Sequence, residues 1–278
     1  MRIVSPDMNT RVAHHLSIPN WDIRPTAQFL RELALFFVGV IPLPHRPVRL
    51  SDVRRRWRER RGTSKRGVRL LLLPGFLATD HSMRRLRFHL RRAGYRAHGW
   101  GLGRNEGVGP DLMERVDRRV RALSRSDERL VLIGWSLGGL IAREYAKQAP
   151  DRVAAVITMG SPFGADIRTT FIWRFYNWMT RNREVRPFEP EQLAEKPPVP
   201  TIALWSPCDG LIPSVAARGE SPHVDGCIRV QCAHMTYPTD RTTIDAVVDT
   251  VDAIAEGALH RVVDTVEPEP QIEAPLAA

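Results

Sequence analysis

Lysine is nearly missing from this chain: three Lys stand beside 38 Arg in 278 residues. That imbalance reads as the base composition of a gene, not as selection for phosphate contacts. Cysteine is scarce too. Cys208, Cys227 and Cys232 show neither C-x-x-C spacing nor an even framework, which excludes a disulfide scaffold and suits buried thiols in a reduced, cytoplasmic compartment. Long apolar runs are absent. The nine residues "LALFFVGVI" (33–41) are too few to cross a bilayer, and the N-terminal "MRIVSPDMNTRVAHHL" has no apolar core of a secretory signal. No His/Cys/Asp cluster has ligand spacing, and His14-His15 is too close and too isolated to hold a metal. Neither metal nor cofactor is expected.

What is present in excess is positive charge, and it has an address. The net charge is +10, and residues 1–69 carry 15 Arg/Lys against 5 Asp/Glu, which accounts for all of it. The densest stretch is "RRRWRERRGTSKRGVR" (54–69). Such a block fits anionic lipid, nucleic acid or an acidic partner, and equally a solvated linker. Nucleic acid is not expected, because zinc-ligand spacing, an aromatic RNA-binding signature and a basic helix with heptads are all missing. Ahead of the block, Thr26 is placed to cap a helix over 27–41 that ends at Pro42. This helix packs on the domain or lies in a membrane interface. Residues 1–67 thus read as a basic helical extension.

From residue 68 the pattern turns regular. "VRLLLLPG" (68–75), "YRAHGW" (95–100), 130–134, "RVAAVITMG" (152–160), "TIALWS" (201–206) and "CIRVQC" (227–232) read as six strands. Between them, helical spacing appears over 80–93, 111–124, 137 to about 148, and 240–256. The tail 258–278 has the proline and charge of a disordered end. Strands alternating with helices predict an α/β domain over 68–257, with a mostly parallel sheet and helices on both faces. Sheets of this kind carry function in the loops that follow their strands.

The stretch "VLIGWSLGGL" (131–140) tests that rule. A short apolar strand runs into Gly134-Trp135-Ser136-Leu137-Gly138, and a helix follows. A G-x-S-x-G pattern alone is unspecific, but a sharp strand-to-helix turn holds its serine in a strained conformation and needs small residues two positions either side. Gly134 and Gly138 meet that need, and Gly139 lets the helix pack close. The helix N-terminus then turns free N–H groups toward the hydroxyl, where an oxyanion would form.

An activated serine needs a base and an orienting acid. His234 follows the strand 227–232 by two residues, and Asp209 follows the strand 201–206. The other pair, His223 and Asp225, precedes its nearest strand and ranks below. The loop "LPGFLATD" after the first strand is the natural source of a second oxyanion donor. The N–H of Phe76, beside that of Leu137, is the expected pair.

With these residues in view, 68–257 resembles the α/β-hydrolase superfamily, specifically its lipase/esterase-like members. The resemblance rests on "LLLPGF", "GWSLGG", "TMGSPFGAD", "SPCDGLIP" and "AHM". It implies Ser136 as nucleophile, His234 as general base and acid, and Asp209 as orienter. Many members carry His-Gly where Pro74-Gly75 stands here, and their first two strands have no counterpart before residue 68. A compact six-stranded version is implied.

The long connection 161–200 reads as a short helical cap. "TTFIWRFYNWM" (169–179) places Phe171, Ile172, Phe175, Trp178 and Met179 on one helical stripe. With Trp135 and Phe163, Phe171, Phe175 and Trp178 are expected to line an apolar acyl pocket. The reading that follows is a cofactor-independent serine hydrolase of carboxylic esters, an esterase or lipase, acting on a small-molecule ester or lipid. The alternatives are an acyltransferase with the same triad and an inactive fold used as a binding module. Peripheral membrane attachment through the basic N-terminus is compatible with the lead.

Overall fold

A computed structural model describes residues 68–124, 128–165, 168, 171–182, 184, 188, 190–219 and 223–259. The predicted helix 27–41, the basic run 54–67 and the tail from 260 onward lie outside the described residues. Arg69, which closes the basic run, is committed to structure: its guanidinium donates to Leu123 O and pairs with Glu128 at 2.5 Å.

Six parallel strands form one sheet in the order β2-β1-β3-β4-β5-β6. They are β1 (Arg69–Leu73), β2 (Arg96–Gly99), β3 (Leu130–Trp135), β4 (Val153–Met159), β5 (Thr201–Trp205) and β6 (Gly226–Arg229). The longer helices are α1 (Arg84–Arg92), α2 (Leu112–Leu123), α3 (Leu137–Gln148), α4 (Phe171–Thr180) and, last in the chain, α7 (Arg241–Ala255). Two five-residue helices, α5 (Pro190–Ala194) and α6 (Ser214–Arg218), were not anticipated from periodicity, which needs more than one turn to register.

The central strands are apolar throughout because both faces are covered. Alternation then sorts their side chains by face. Leu70, Leu72, Val131 and Ile133 pack with Met83, which precedes α1, with Leu86 and Leu90 of α1, and with Ile244, Val247 and Val251 of α7. Leu71, Leu73, Leu130 and Leu132 point the other way, against Val116 and Val120 of α2 and Ile141 and Ala142 of α3. Each such leucine, fully buried, contributes about 1.5–3 kcal/mol relative to exposure. α1 stops at Gly94, whose φ of 99° only glycine adopts freely.

The strand order places the site. β1 neighbours both β2 and β3, so the chain winds one way from β1 to β2 and then crosses back over β1 to β3. A crevice opens at the C-terminal ends of strands where winding reverses. The loop 74–79 leaves β1 there, and Ser136 leaves β3 beside it. The sixth strand ends earlier than its apolar pattern suggests, at Arg229. Beyond it Cys232 is drawn out of the ladder by the hydroxyl of Ser206.

Candidate active site

Ser136 has φ 53° and ψ −123°, a conformation that costs a non-glycine residue about 1–3 kcal/mol. The surroundings hold it there. Its N–H donates to Met159 O at 2.9 Å, and three glycines let α3 start against bare backbone. A Cβ on Gly134 would lie 2.3 Å from the Cα of Gly139, one on Gly138 2.3 Å from Leu73 O, and one on Gly139 2.0 Å from the hydroxyl of Ser161. The glycines are thus demanded by close approach as well as by the turn.

His234 Nε2 lies 3.0 Å from Ser136 Oγ, and Nδ1 lies 2.7 Å from Asp209 Oδ2. Both the imidazole and the carboxylate are sealed from water, at 3% and 1% side-chain exposure. The second carboxylate oxygen of Asp209 accepts the N–H groups of Leu211 and Ile212 at 2.9 and 2.8 Å. With Oδ1 so engaged, Oδ2 faces the imidazole. The indole N–H of Trp135 donates to His234 O at 3.0 Å, and Tyr237 meets the imidazole edge-on at 6.0 Å. His223 and Asp225 have other work: His223 O accepts from Arg143, and Asp225 accepts the N–H of Thr201 at 2.8 Å and the ammonium of Lys196 at 3.0 Å.

Leu137 opens α3, so its N–H has no carbonyl four residues back. Across the crevice, Phe76 sits in a loop held by Asn105. The Asn105 side chain donates to Pro74 O at 2.8 Å, its N–H to Ala78 O at 2.9 Å, and its carbonyl accepts from Leu77 at 2.7 Å. Leu77, at φ 60°, is the other non-glycine residue with positive φ among the described residues. Asn105 was missed from sequence. A polar residue inside the Gly-rich "GLGRNEG", just past an edge strand, is the signal it left.

A cavity of about 70 Å³ adjoins Ser136. Phe76, Leu137, Leu140 and Pro162 line it, with Ile172, Trp173 and Tyr176 of α4 and with Val108, Phe188, Leu193 and Ile212. The pocket expectation needs correction here. Trp135 is buried in the core below the crevice, and Phe163 lies buried beneath Arg143. Phe175 packs edge-on against Phe76 without lining the cavity, and Trp178 is 54% exposed. Of the side chain of Phe171 nothing is described. α4 is rotated from the expected stripe because Tyr176 belongs inside. Its phenol accepts the N–H of Val108 at 3.2 Å, and burial pushes its pKa up, countered only in part by that bond. A stripe chosen for apolarity leaves tyrosine out.

The sheet, the serine turn and the loops that follow the strands match one known architecture. A model of the α/β hydrolase fold family matches residues 111–235. The chain has the α/β-hydrolase fold. Within it, one stretch of 61 residues is 46% identical to the pimeloyl-[acyl-carrier protein] methyl ester esterase of Pectobacterium atrosepticum. The same length is 39% identical to that of Citrobacter koseri. Each match covers 22% of this chain and only 23% of the relative's length. Polyneuridine aldehyde esterase superposes with a TM-score of 0.47 at 15% identity, over 66% of this chain and 99% of that one. A structure of the metagenome-derived lipolytic enzymes LipS and LipT gives 0.49 at 14%, over 70% and 96%. No helix among the described residues is long and apolar enough to cross a membrane.

Proposed function

We propose that this α/β-hydrolase-fold protein is a serine hydrolase of carboxylic esters with an uncharged, apolar acyl group. The observation that carries the reading is the hydrogen-bonded line Asp209–His234–Ser136, buried at its acid end and open to an apolar cavity at the serine. The local sequence likeness to methyl ester esterases supports the ester as the bond cleaved.

In this reading Ser136 Oγ attacks the acyl carbonyl as its proton passes to His234 Nε2. Asp209 keeps Nδ1 protonated and steadies the imidazolium. The N–H groups of Leu137 and Phe76 receive the oxyanion, each worth about 3 kcal/mol to the transition state in comparable sites. Collapse breaks the C–O bond, and the alcohol leaves with the proton from His234. Water, deprotonated by the same imidazole, then attacks the acyl-enzyme and releases the acid and Ser136. Among the described residues the cavity walls bring no charge to the acyl chain, and the one phenol among them is engaged with Val108. An anionic acyl terminus would therefore be desolvated without a partner.

Labelling by a fluorophosphonate probe, followed by intact mass, tests this reading. Wild-type protein should take one label, with Ser136→Ala and His234→Ala taking none. A folded wild type that stays unlabelled, and does not hydrolyse p-nitrophenyl acetate, would overturn it.

A further inference from the structure

About two turns past the serine, α3 buries an arginine. Arg143 is 0% exposed, although a guanidinium is among the costliest groups to take from water. Among the described residues no carboxylate receives it. Its terminal nitrogens instead donate to three backbone carbonyls: His223 O at 3.2 Å, Leu193 O at 3.3 Å and Glu195 O at 3.1 Å. The plane of the group stacks on Phe163, with the guanidinium carbon 3.9 Å from the ring centre. Burial pulls its pKa down to about 10, offset slightly by Glu144 beside it; at neutral pH it still carries its charge. A rigid planar fork with five donors holds three acceptors while its face stacks on a ring, which a compact ammonium on a flexible stem cannot do.

What Arg143 holds is a piece of the cavity wall. Leu193 sits in α5, and its side chain lines the cavity beside Ser136 together with Leu140, which lies on α3 three residues before Arg143. Leu140, Phe163 and Leu193 pack in one cluster, and the guanidinium lies over the Phe163 ring. A second tether reinforces the first one turn further along α3. Lys147 donates to Gln192 O and pairs with Glu144 at 2.6 Å. The wall segment 192–195 is therefore fastened to the nucleophile's own helix through its main chain, independently of which side chains it carries.

We propose that Arg143 is a positioning residue that fixes Leu193 as the end wall of the acyl cavity and so limits the length of acyl chain the protein accepts. This rests on the ester-hydrolase reading. Arg143 touches no reacting atom, and its effect runs through the wall.

The test separates the two readings. Active serine is first counted with a fluorophosphonate in wild type, Arg143→Lys, Leu193→Ala and the double variant. Absence of label in the wild type condemns the hydrolase reading itself. With label present, kcat and KM are measured for p-nitrophenyl esters from acetate to dodecanoate. Arg143→Lys should keep the wild-type label count and raise the octanoate-to-acetate ratio of kcat/KM about tenfold, the low end of discrimination by one methylene. The change should fall mainly in KM. Leu193→Ala should produce a similar rise, and the double variant no more than either alone. A ratio unmoved by Arg143→Lys, or effects that multiply in the double variant, would overturn the proposal. If thermal melts show Arg143→Lys unfolded, Arg143→Gln avoids the buried ammonium and carries the same expectation. Leu193→Ala with an unchanged ratio removes Leu193 as the wall whatever the arginine variants do.

Discussion

The hydroxyl of Ser206 donates to Cys232 O at 2.7 Å and accepts the N–H of the same residue at 3.0 Å. It also accepts the N–H of Cys208 at 3.1 Å. One buried side chain thereby joins the loop that carries Asp209 to the loop that carries His234, ahead of the imidazole–carboxylate contact. Ser206→Ala removes the hydroxyl that serves two backbone N–H groups and a carbonyl, and a buried group that loses its partner costs about 1–3 kcal/mol. The variant should melt lower than wild type and lose label rate with fluorophosphonate. A variant with wild-type melting and wild-type labelling would show that the two loops are registered by something else.

Asp209 accepts backbone N–H groups on one oxygen and faces His234 with the other. An amide in its place turns its NH₂ either on those N–H groups or on Nδ1, and the imidazole takes the wrong tautomer. Asp209→Asn should lower kcat by about 10⁴ at nearly unchanged KM, the size of that effect in serine hydrolase triads. Circular dichroism should report the same fold. A loss under tenfold would remove Asp209 from the orienting role.

Gly138 tests the close approach of α3 to β1. A methyl there meets Leu73 O at 2.3 Å and Pro74 O at 2.6 Å, and both obstacles are backbone. Gly138→Ala should cost about 3 kcal/mol or more, the upper range for overpacking, seen as a lowered urea midpoint or loss of soluble protein. By contrast, Gly103→Ala meets nothing within 4 Å, although its φ of 81° carries a local strain. Equal stability of the Gly138→Ala variant and wild type would contradict the packing described.

Tyr145 donates to Asp117 at 2.9 Å. Burial pushes the Asp117 carboxyl up, but the Tyr145 hydroxyl and the Arg121 guanidinium outweigh it and hold the pKa below the ordinary carboxylate value. A carboxylate depressed on folding adds stability above its unfolded pKa of about 3.9, and that part is lost as pH falls through the lower folded value. Tyr145→Phe should therefore cost about 1 kcal/mol at pH 7, and the gap from wild type should shrink by pH 3. Urea titrations at the two pH values measure it. A gap of the same size at both would rule out the ionised carboxylate as its source.

Much of this molecule is local, and so was legible in sequence. The six strands, the serine turn and the helices α1, α2, α3 and α7 follow from runs such as "LLLLPG" and "LIGWSLGG", where apolar period, glycine and helix spacing act within a dozen residues. Chain order and the rule that function follows strands single out Ser136, Asp209 and His234, which the fold brings within hydrogen-bond distance of one another. The cavity was not legible. Ile172 of the expected stripe faces it, but Trp173 and Tyr176 stand beside it in place of Phe175 and Trp178, and the phenol of Tyr176 accepts a hydrogen bond from Val108, 68 residues earlier. The same holds for Arg143, Asn105 and Ser206. In sequence each is a polar residue like many others, and its importance comes from backbone carbonyls and N–H groups that only folding brings within hydrogen-bond distance. Apolar burial is non-directional and leaves a periodic trace along the chain. Hydrogen bonding between distant segments is directional and leaves none, so the strands, the serine turn and the order of Ser136, Asp209 and His234 could be read along the chain, whereas the shape of the space beside Ser136 came only with folding.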